Sequence, residues 1–426
     1  MIGQLGIILM NVIDAIMVGE LGPIPLAASS VANSLFILIF IIGVGVALSV
    51  SPLVAIAVGE NKHYECELLF KNSLIVNVGL NTILFLLTFA LSPLLRYLNQ
   101  PDEVVGQAII FTNILAFSLI PTSIYHSYKQ FIEGLQNTKP AMIITLTAVL
   151  INVFINYLLI YGNWGFPRLG LFGAGIGTFT ARTFMAFVIF LYVTKSEKYK
   201  HFNLKFRFKD YNHKIVRKIL AIGLPSGLQY FFEVGAFSFA VIMVGWLGTV
   251  QLAAHQIAIN LASVPFMAAT GISAAGSIRV GNALGRRDVK EIRQAGFTAI
   301  SLGASIMIFS GIIFVLFNNY LPTLYVDDPE VIRYAATILI IAAMFQIFDG
   351  TQAVGIGVLR GLTDVKGPTA ITFISYWLLA LPIGYYLGFK LHLDIVGVWY
   401  GLLIGLIASA TLLTLRFNYK SRRVVH

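Results

Sequence analysis

Residues 26–58 read LAASSVANSLFILIFIIGVGVALSVSPLVAIAV, a run of 33 residues without a single charge. About 20 apolar residues suffice for a helix to cross the hydrocarbon core of a bilayer. The surrounding chain has the same character, because 58% of its 426 residues are hydrophobic and only 11% are charged. A soluble domain carries about a quarter charged residues, so this composition predicts a chain that faces lipid.

The length of the apolar runs predicts helices rather than a barrel. Lipid offers no water to satisfy backbone polar groups, so membrane spans are helices or closed barrels. Barrel strands alternate over about ten residues, whereas the runs in this chain are apolar on every face. We therefore predict an all-α membrane protein with twelve transmembrane helices. Their expected limits are 1–20, 26–58, 70–95, 105–130, 141–161, 170–194, 215–247, 252–283, 293–317, 331–357, 369–389 and 395–416.

The two halves of the chain repeat each other. Residues 18–33 and 244–259 agree at 8 of 16 positions without a gap, and GLQNTK at 134–139 resembles GLTDVK at 361–366. Six helices per half give both halves the same orientation, which predicts two six-helix parallel-repeat lobes around a central cavity. The expected domains are an N-lobe at 1–194, a basic cytoplasmic linker at 195–214, a C-lobe at 215–416 and a cytoplasmic tail at 417–426.

The basic residues predict the orientation of the chain. The loops after even-numbered spans, the span ends that adjoin them and the C-terminal tail hold 24 of the 29 lysines and arginines. Positive residues stay in the cytoplasm, so we expect a multi-pass inner (cytoplasmic) membrane protein with a cytoplasmic C-terminus. Because these residues lie in short loops, the net charge of +10 does not indicate nucleic-acid binding.

The repeat also predicts a short first helix, so we expect a truncated chain or a start assigned too late.

Three acidic residues are predicted inside spans, namely Asp14, Glu233 and Asp349. A charge at the bilayer centre costs about 3 kcal/mol on insertion scales, so it normally faces a cavity or a partner. Carboxylate oxygens can hold either a sodium ion or a proton. The alternative for each acid is a structural role, satisfied by neighbouring hydroxyls or by Arg182, the only basic residue placed more than four residues from either end of a span.

Polar residues of the first half could complete such a site. Asn152 and Asn156 are four residues apart and therefore share one helix face. Their amide oxygens could form an oxygen cage with Asp14 and Thr178, or they could only hydrogen-bond across helices and stabilise packing. The sequence has no Walker loop and no histidine spacing for a metal, so we expect no enzyme and no ATP-driven pump.

Several motifs resemble the MATE (multidrug and toxic compound extrusion) family, and within it the NorM type. They are DAIMVG at 14–19, GWLGTVQLAAHQ at 245–256, GSIRVGNALG at 276–285 and LRG at 359–361. The resemblance covers essentially the whole chain. It implies two six-helix lobes around a cavity, and a secondary antiporter that exports cationic, partly aromatic drugs in exchange for Na⁺ or H⁺.

The resemblance also implies residue roles. Glu233 and Asp349 match the acids of helices seven and ten, and Asp14 matches the acid of the first helix. Asn152, Asn156 and Thr178 match the polar partners of Asp14. Na⁺ is thus possible at Glu233 and Asp349, or at Asp14, Asn152 and Asn156, and the sequence leaves both the ion and the coupling lobe open. No catalytic residue and no cofactor are expected. The expected partners are drugs and membrane lipids, and the chain is expected to be a monomer.

A flippase for lipid-linked saccharides is the alternative within the same superfamily. Such a protein would be expected to line its cavity with several cationic residues for a pyrophosphate. In this chain Arg182 stands against three acids within the predicted spans. This balance suits a cationic cargo better.

Overall fold

The computed structural model describes residues 2–98, 101–204 and 208–423. Helices are the only regular elements among these residues, and they coincide with the twelve predicted spans. Eleven helices of the described chain are long and apolar enough to cross a membrane. The predicted all-α membrane fold is therefore confirmed. In chain order the helices are α1 (Ile2–Gly19), α2 (Pro23–Gly59), α3 (His63–Tyr97), α4 (Asp102–Gly134), α5 (Lys139–Tyr161), α6 (Leu171–Lys195), α7 (His213–Gly245), α8 (Thr249–Gly285), α9 (Val289–Leu316), α10 (Pro329–Gly361), α11 (Lys366–Lys390) and α12 (Asp394–Arg422).

Helix α11 departs most from regular α-helical geometry. Two of its segments, Ile374–Ala380 and Tyr386–Lys390, are π-helical. Such wide turns inside α-helices are frequent at functional positions. The first of them carries Tyr376, which is fully buried. Short breaks also divide two other helices: α2 into Pro23–Ala47 and Val50–Gly59, and α4 into Asp102–Phe117 and Leu119–Gly134.

The chain forms two compact units, which we call the first unit (residues 2–227) and the second unit (from Leu228 onward). In the first unit α1 packs on α5, α5 on α6, and α2 on α4, around buried residues such as Phe36 and Leu115. In the second unit α8, α9 and α12 all pack on α10. Trp399 and Phe345 anchor its core. Helix α10, which carries Asp349, is therefore the central helix of the second unit.

The start of α7 belongs to the first unit. Gly45 and Gly227 bring two backbones together so closely that a Cβ added to Gly45 would collide with Gly227. Just before α7, Lys71 Nζ lies 2.9 Å from Asp210 Oδ2, and Asn72 Nδ2 donates to the carbonyl oxygen of Asp210 at 3.0 Å. These contacts hold Asp210, near the end of the basic linker predicted at 195–214, on α3.

The domain limits expected from the sequence stay predictions, because a sequence repeat and a compact unit are different definitions of a lobe. Lys205 and Arg207 of the predicted linker lie outside the described residues. So do Met1 and residues 424–426 of the predicted tail.

Candidate functional site

The structure brings together the four residues that we call the N-lobe cluster. Asp14 lies on α1, Asn152 and Asn156 on α5, and Thr178 on α6. Asn156 Nδ2 donates to Asp14 Oδ1 at 2.5 Å, and Thr178 Oγ1 donates to Asp14 Oδ2 at 3.4 Å. Each carboxylate oxygen of the half-buried Asp14 thus accepts a hydrogen bond.

The two asparagines of this cluster are fully buried and linked to each other. Asn156 Nδ2 lies 3.5 Å from Asn152 Oδ1. Asn156 Oδ1 and Asn152 Nδ2 have no hydrogen-bond partner within the described part of the chain. Gly177 permits this arrangement, since a Cβ at position 177 would collide with Asn156 Oδ1. The cluster therefore retains one free amide oxygen next to the Asp14 carboxylate.

Arg182 is half-buried and forms no ion pair with an acid of the described residues. Its Nη1 donates to Ser118 Oγ at 2.6 Å, and its guanidinium lies 5.3 Å from the ring centroids of Phe36 and Phe40. Cation–π contacts of this kind stabilise a partly desolvated guanidinium. Arg182 follows Thr178 by four residues on α6, so its positive charge lies one turn from a partner of Asp14.

Glu233 and Asp349 are both buried in the second unit, at 7% and 6% exposure. Gln352 links the acid of α7 to α11. Its Nε2 donates to Glu233 Oε1 at 3.3 Å and lies 2.9 Å from the hydroxyl of Tyr376. Gln352 follows Asp349 by three residues, so the two side chains share a face of α10.

Several oxygen atoms around these acids lack a hydrogen-bond donor among the described residues. Asp349 Oδ1 and Gln352 Oε1 are buried and accept no hydrogen bond from any described residue. Gln346, one turn before Asp349, has both amide atoms buried without a partner in the same described chain. Buried polar atoms normally have a hydrogen-bond partner, and exceptions are common at sites that bind an ion or a water molecule. These oxygens are ligands of the type that sodium or a proton requires.

Arg360 is a functional candidate that the sequence analysis missed. Helix α10 runs to Gly361, four residues beyond the predicted end, so Arg360 lies inside it at 4% exposure. Its guanidinium lies 5.5 Å from the ring centroid of Tyr230, one turn before Glu233. Its Nε and Nη2 find no acceptor among the described residues. Arg360 therefore joins Arg182 as a basic side chain enclosed within its unit, although the predicted span limits place it in a loop.

A signal for Arg360 was present in the sequence. Arg360 follows Asp349 by eleven residues, which is about three helical turns, so both project from one face. We call Glu233, Asp349, Gln352, Tyr376 and Arg360 the C-lobe cluster. Neither cluster resembles a transition-metal centre, since no group of three His, Cys, Asp or Glu that could hold a metal occurs in the described residues.

Twelve described helices, eleven of them long and apolar enough to cross a membrane, form two units that each hold a polar cluster around carboxylates, and this arrangement defines a polytopic transporter. The family model described as MatE matches residues 1–158 and 225–386, and the chain belongs to this family. As a member it is a transporter rather than an enzyme, and its function requires no cofactor.

Named relatives cover nearly the whole chain. It is 31% identical over 427 residues to the multidrug resistance protein MdtK of Yersinia pseudotuberculosis serotype O:1b (strain IP 31758), covering 99% of this chain and 93% of that one. It is 32% identical over 430 residues to the probable multidrug resistance protein NorM of Rhizobium meliloti (strain 1021), covering 99% and 91%.

A solved structure has the same fold. It is the outward-facing conformation of a multidrug resistance MATE family transporter of the MOP superfamily, with a TM-score of 0.90 and 19% identity. The match covers 100% of this chain and 94% of that one.

Proposed function

We propose that the chain is a secondary active efflux antiporter that exports organic cations and drugs in exchange for Na⁺ or H⁺ by alternating access. Two relatives that match almost the full chain are named as multidrug resistance proteins. The observation that carries the proposal is the buried pair of acids Glu233 and Asp349 with unmatched oxygen atoms beside them.

The C-lobe cluster is the proposed coupling site. When ionised, Glu233 and Asp349 carry two negative charges, and Arg360 supplies one positive charge. Uncompensated charge is costly in a buried site, so the remaining negative charge favours the binding of one monovalent cation. For Na⁺, the proposed ligands are the two carboxylates and the free carbonyl oxygen of Gln352. For H⁺, the proton would reside on one of the carboxylates.

The N-lobe cluster is proposed as a second, subordinate ion- or proton-sensitive site. Asp14 there is the only acid, and Asn152, Asn156 and Thr178 surround it with polar atoms. A proton or Na⁺ at Asp14 would compete with the bond from Asn156. This competition would couple the charge of Asp14 to the packing of α1 on α5.

The flippase alternative is less well supported by the charges. Arg182 is half-buried in the first unit and Arg360 is buried in the second, and each contacts aromatic rings of its own unit. A pyrophosphate would need several cationic side chains that are free to contact it. Three buried or half-buried acids instead favour a cationic cargo.

Transport in inverted membrane vesicles tests the proposed function. A cationic dye is supplied under a sodium gradient alone and then under a proton gradient alone, with vesicles lacking the chain as the control. Dye movement under one gradient supports the proposal and names the ion. No dye movement under either gradient, together with translocation of a lipid-linked saccharide, would favour the flippase.

We further propose that the chain lies in the inner membrane as a monomer, with the segment at 195–218 and the C-terminus in the cytoplasm. Cys66 is fully buried and cannot report this topology. Lys198→Cys and Trp164→Cys place thiols at exposed positions in loops on opposite predicted sides. An impermeant thiol reagent should label Trp164→Cys in intact spheroplasts, and Lys198→Cys only after permeabilisation. The reverse pattern would overturn the orientation.

A further inference from the structure

The start of α7 carries a groove that belongs to neither acid cluster. It is a cavity of about 400 Å³ on one face of the helix. Its lining changes from basic and polar at the helix start to apolar further along. The lining residues are His213, Val216, Arg217, Leu220, Ala221 and Leu224.

The spacing of these residues matches one leaflet of a bilayer. Positions 213, 217, 220 and 224 follow one another by three or four residues, so they form a single stripe. The stripe spans eleven residues, or about 16 Å at the α-helical rise. That is about half of a 30 Å hydrocarbon core. Leu224, at the apolar end, is 47% exposed.

The positive charge at the head of this groove has no counter-charge in the described chain. Arg217 is exposed, and no described acid pairs with it. The next residue, Lys218, differs because its Nζ lies 3.1 Å from Glu65 Oε1. Another cavity is lined by Lys62 and Glu65. The positive charge of Lys62 is also compensated, since its Nζ lies 2.5 Å from Glu60 Oε2. The α7 groove is thus the one of these two cavities with an unpaired cation at its head.

We propose that this groove binds one anionic phospholipid. The phosphate contacts Arg217 and His213, and an acyl chain lies along Leu220 and Leu224. Charge complementarity selects this occupant, because unpaired cations at the membrane surface attract anionic headgroups. A second copy of the chain would bring the same positive charge to the groove, and a soluble acidic peptide would leave its apolar half uncovered.

Native mass spectrometry of the full chain in detergent tests the proposal, with phosphatidylglycerol and phosphatidylethanolamine as probes. The wild-type chain should retain phosphatidylglycerol in preference to phosphatidylethanolamine. Arg217→Gln should weaken that binding about fivefold, as expected for one basic residue near the surface, whereas Arg217→Lys should preserve it. The matched control is Lys198→Gln. It removes an exposed charge of the segment at 195–218 that lies outside the groove, and it should leave lipid binding unchanged.

Two further probes separate the acyl contact from the charge. Leu224→Ser should weaken long-chain phosphatidylglycerol but not its short-chain dihexanoyl form, and inorganic phosphate should not displace the lipid. Equal binding of both lipids to wild type would overturn the proposal. Equal losses in Lys198→Gln and Arg217→Gln would do the same, because they indicate a diffuse basic surface. Displacement by phosphate, or a dimer in place of a lipid adduct, would assign the groove to another occupant.

Discussion

The two units differ in how completely the oxygens of their acids are hydrogen-bonded. In the first unit, both oxygens of the half-buried Asp14 accept hydrogen bonds, from Asn156 and Thr178. In the second unit, Glu233 and Asp349 are both buried, and Asp349 Oδ1 accepts none from the described residues. Asp14 is thus satisfied by its own unit, whereas in the second unit Glu233 accepts a bond from Gln352 and Asp349 Oδ1 is left without a donor among the described residues.

This difference indicates where a cation gains most. A bound cation at Asp14 must displace or share existing hydrogen bonds, each of which contributes about 1.5–3 kcal/mol when one partner is charged. A cation between the acids of the second unit would instead supply missing partners and neutralise buried charge. We therefore place the main coupling event in the C-lobe cluster, with Asp14 in a subordinate role.

The largest effect is expected from Glu233→Gln and Asp349→Asn. Each amide keeps the side-chain shape but removes a charge worth several kcal/mol to a buried cation. Binding of the coupling ion should weaken about a hundredfold, and gradient-driven efflux should be lost at matched membrane abundance. Vesicle transport measures this, with Glu103→Gln, an exposed acid at the start of α4, as the control. Normal efflux by both variants would remove the second unit from coupling.

A smaller and opposite shift is expected from Arg360→Gln. Without this positive charge the two acids attract the cation more strongly, so the half-saturating ion concentration should fall about tenfold and ion release should slow efflux. Arg360→Lys should restore the wild-type ion dependence, because it retains the charge. Titration of efflux against ion concentration separates this from misfolding. An unchanged half-saturating concentration in Arg360→Gln would mean that its charge does not act on the cluster.

Asp14→Asn should have a more modest effect. An asparagine can still accept from Thr178, but it loses the charge that strengthens the bond from Asn156. We expect efflux to fall about tenfold, the effect of losing one charged hydrogen bond of about 1.5 kcal/mol. Ion affinity of the purified protein should stay near that of wild type. A loss of efflux as complete as in Asp349→Asn would give the two units equal weight.

The smallest effect is expected from Asn152→Ala. Inter-helix hydrogen bonds in membranes contribute about 0.6 kcal/mol on average, so thermal stability should fall slightly at unchanged ion dependence. A thermal-shift assay and an ion titration on one preparation distinguish the roles. A shifted ion dependence would make Asn152 a ligand rather than a packing residue.

Much of the fold could be predicted because lipid imposes simple rules on sequence. Uncharged runs of membrane length predicted the helices, and acids inside such runs stood out as Asp14, Glu233 and Asp349. The linkage of Glu233 to Tyr376 through Gln352 could not be predicted, since it depends on which helix faces meet and on a π-helical turn in α11. Arg360 was missed because a base at the end of an apolar run looks like a loop residue until the helix is known to continue.

Cation binding to the purified chain tests the central claim most directly. Radioactive Na⁺ binding and proton release in weakly buffered detergent are measured on wild type, Asp349→Asn and Asp14→Asn. The charge balance of the C-lobe cluster predicts one Na⁺ or one proton bound per wild-type chain, none at this site in Asp349→Asn, and one still bound in Asp14→Asn. Binding that survives Asp349→Asn and disappears in Asp14→Asn would contradict the account and transfer coupling to the first unit.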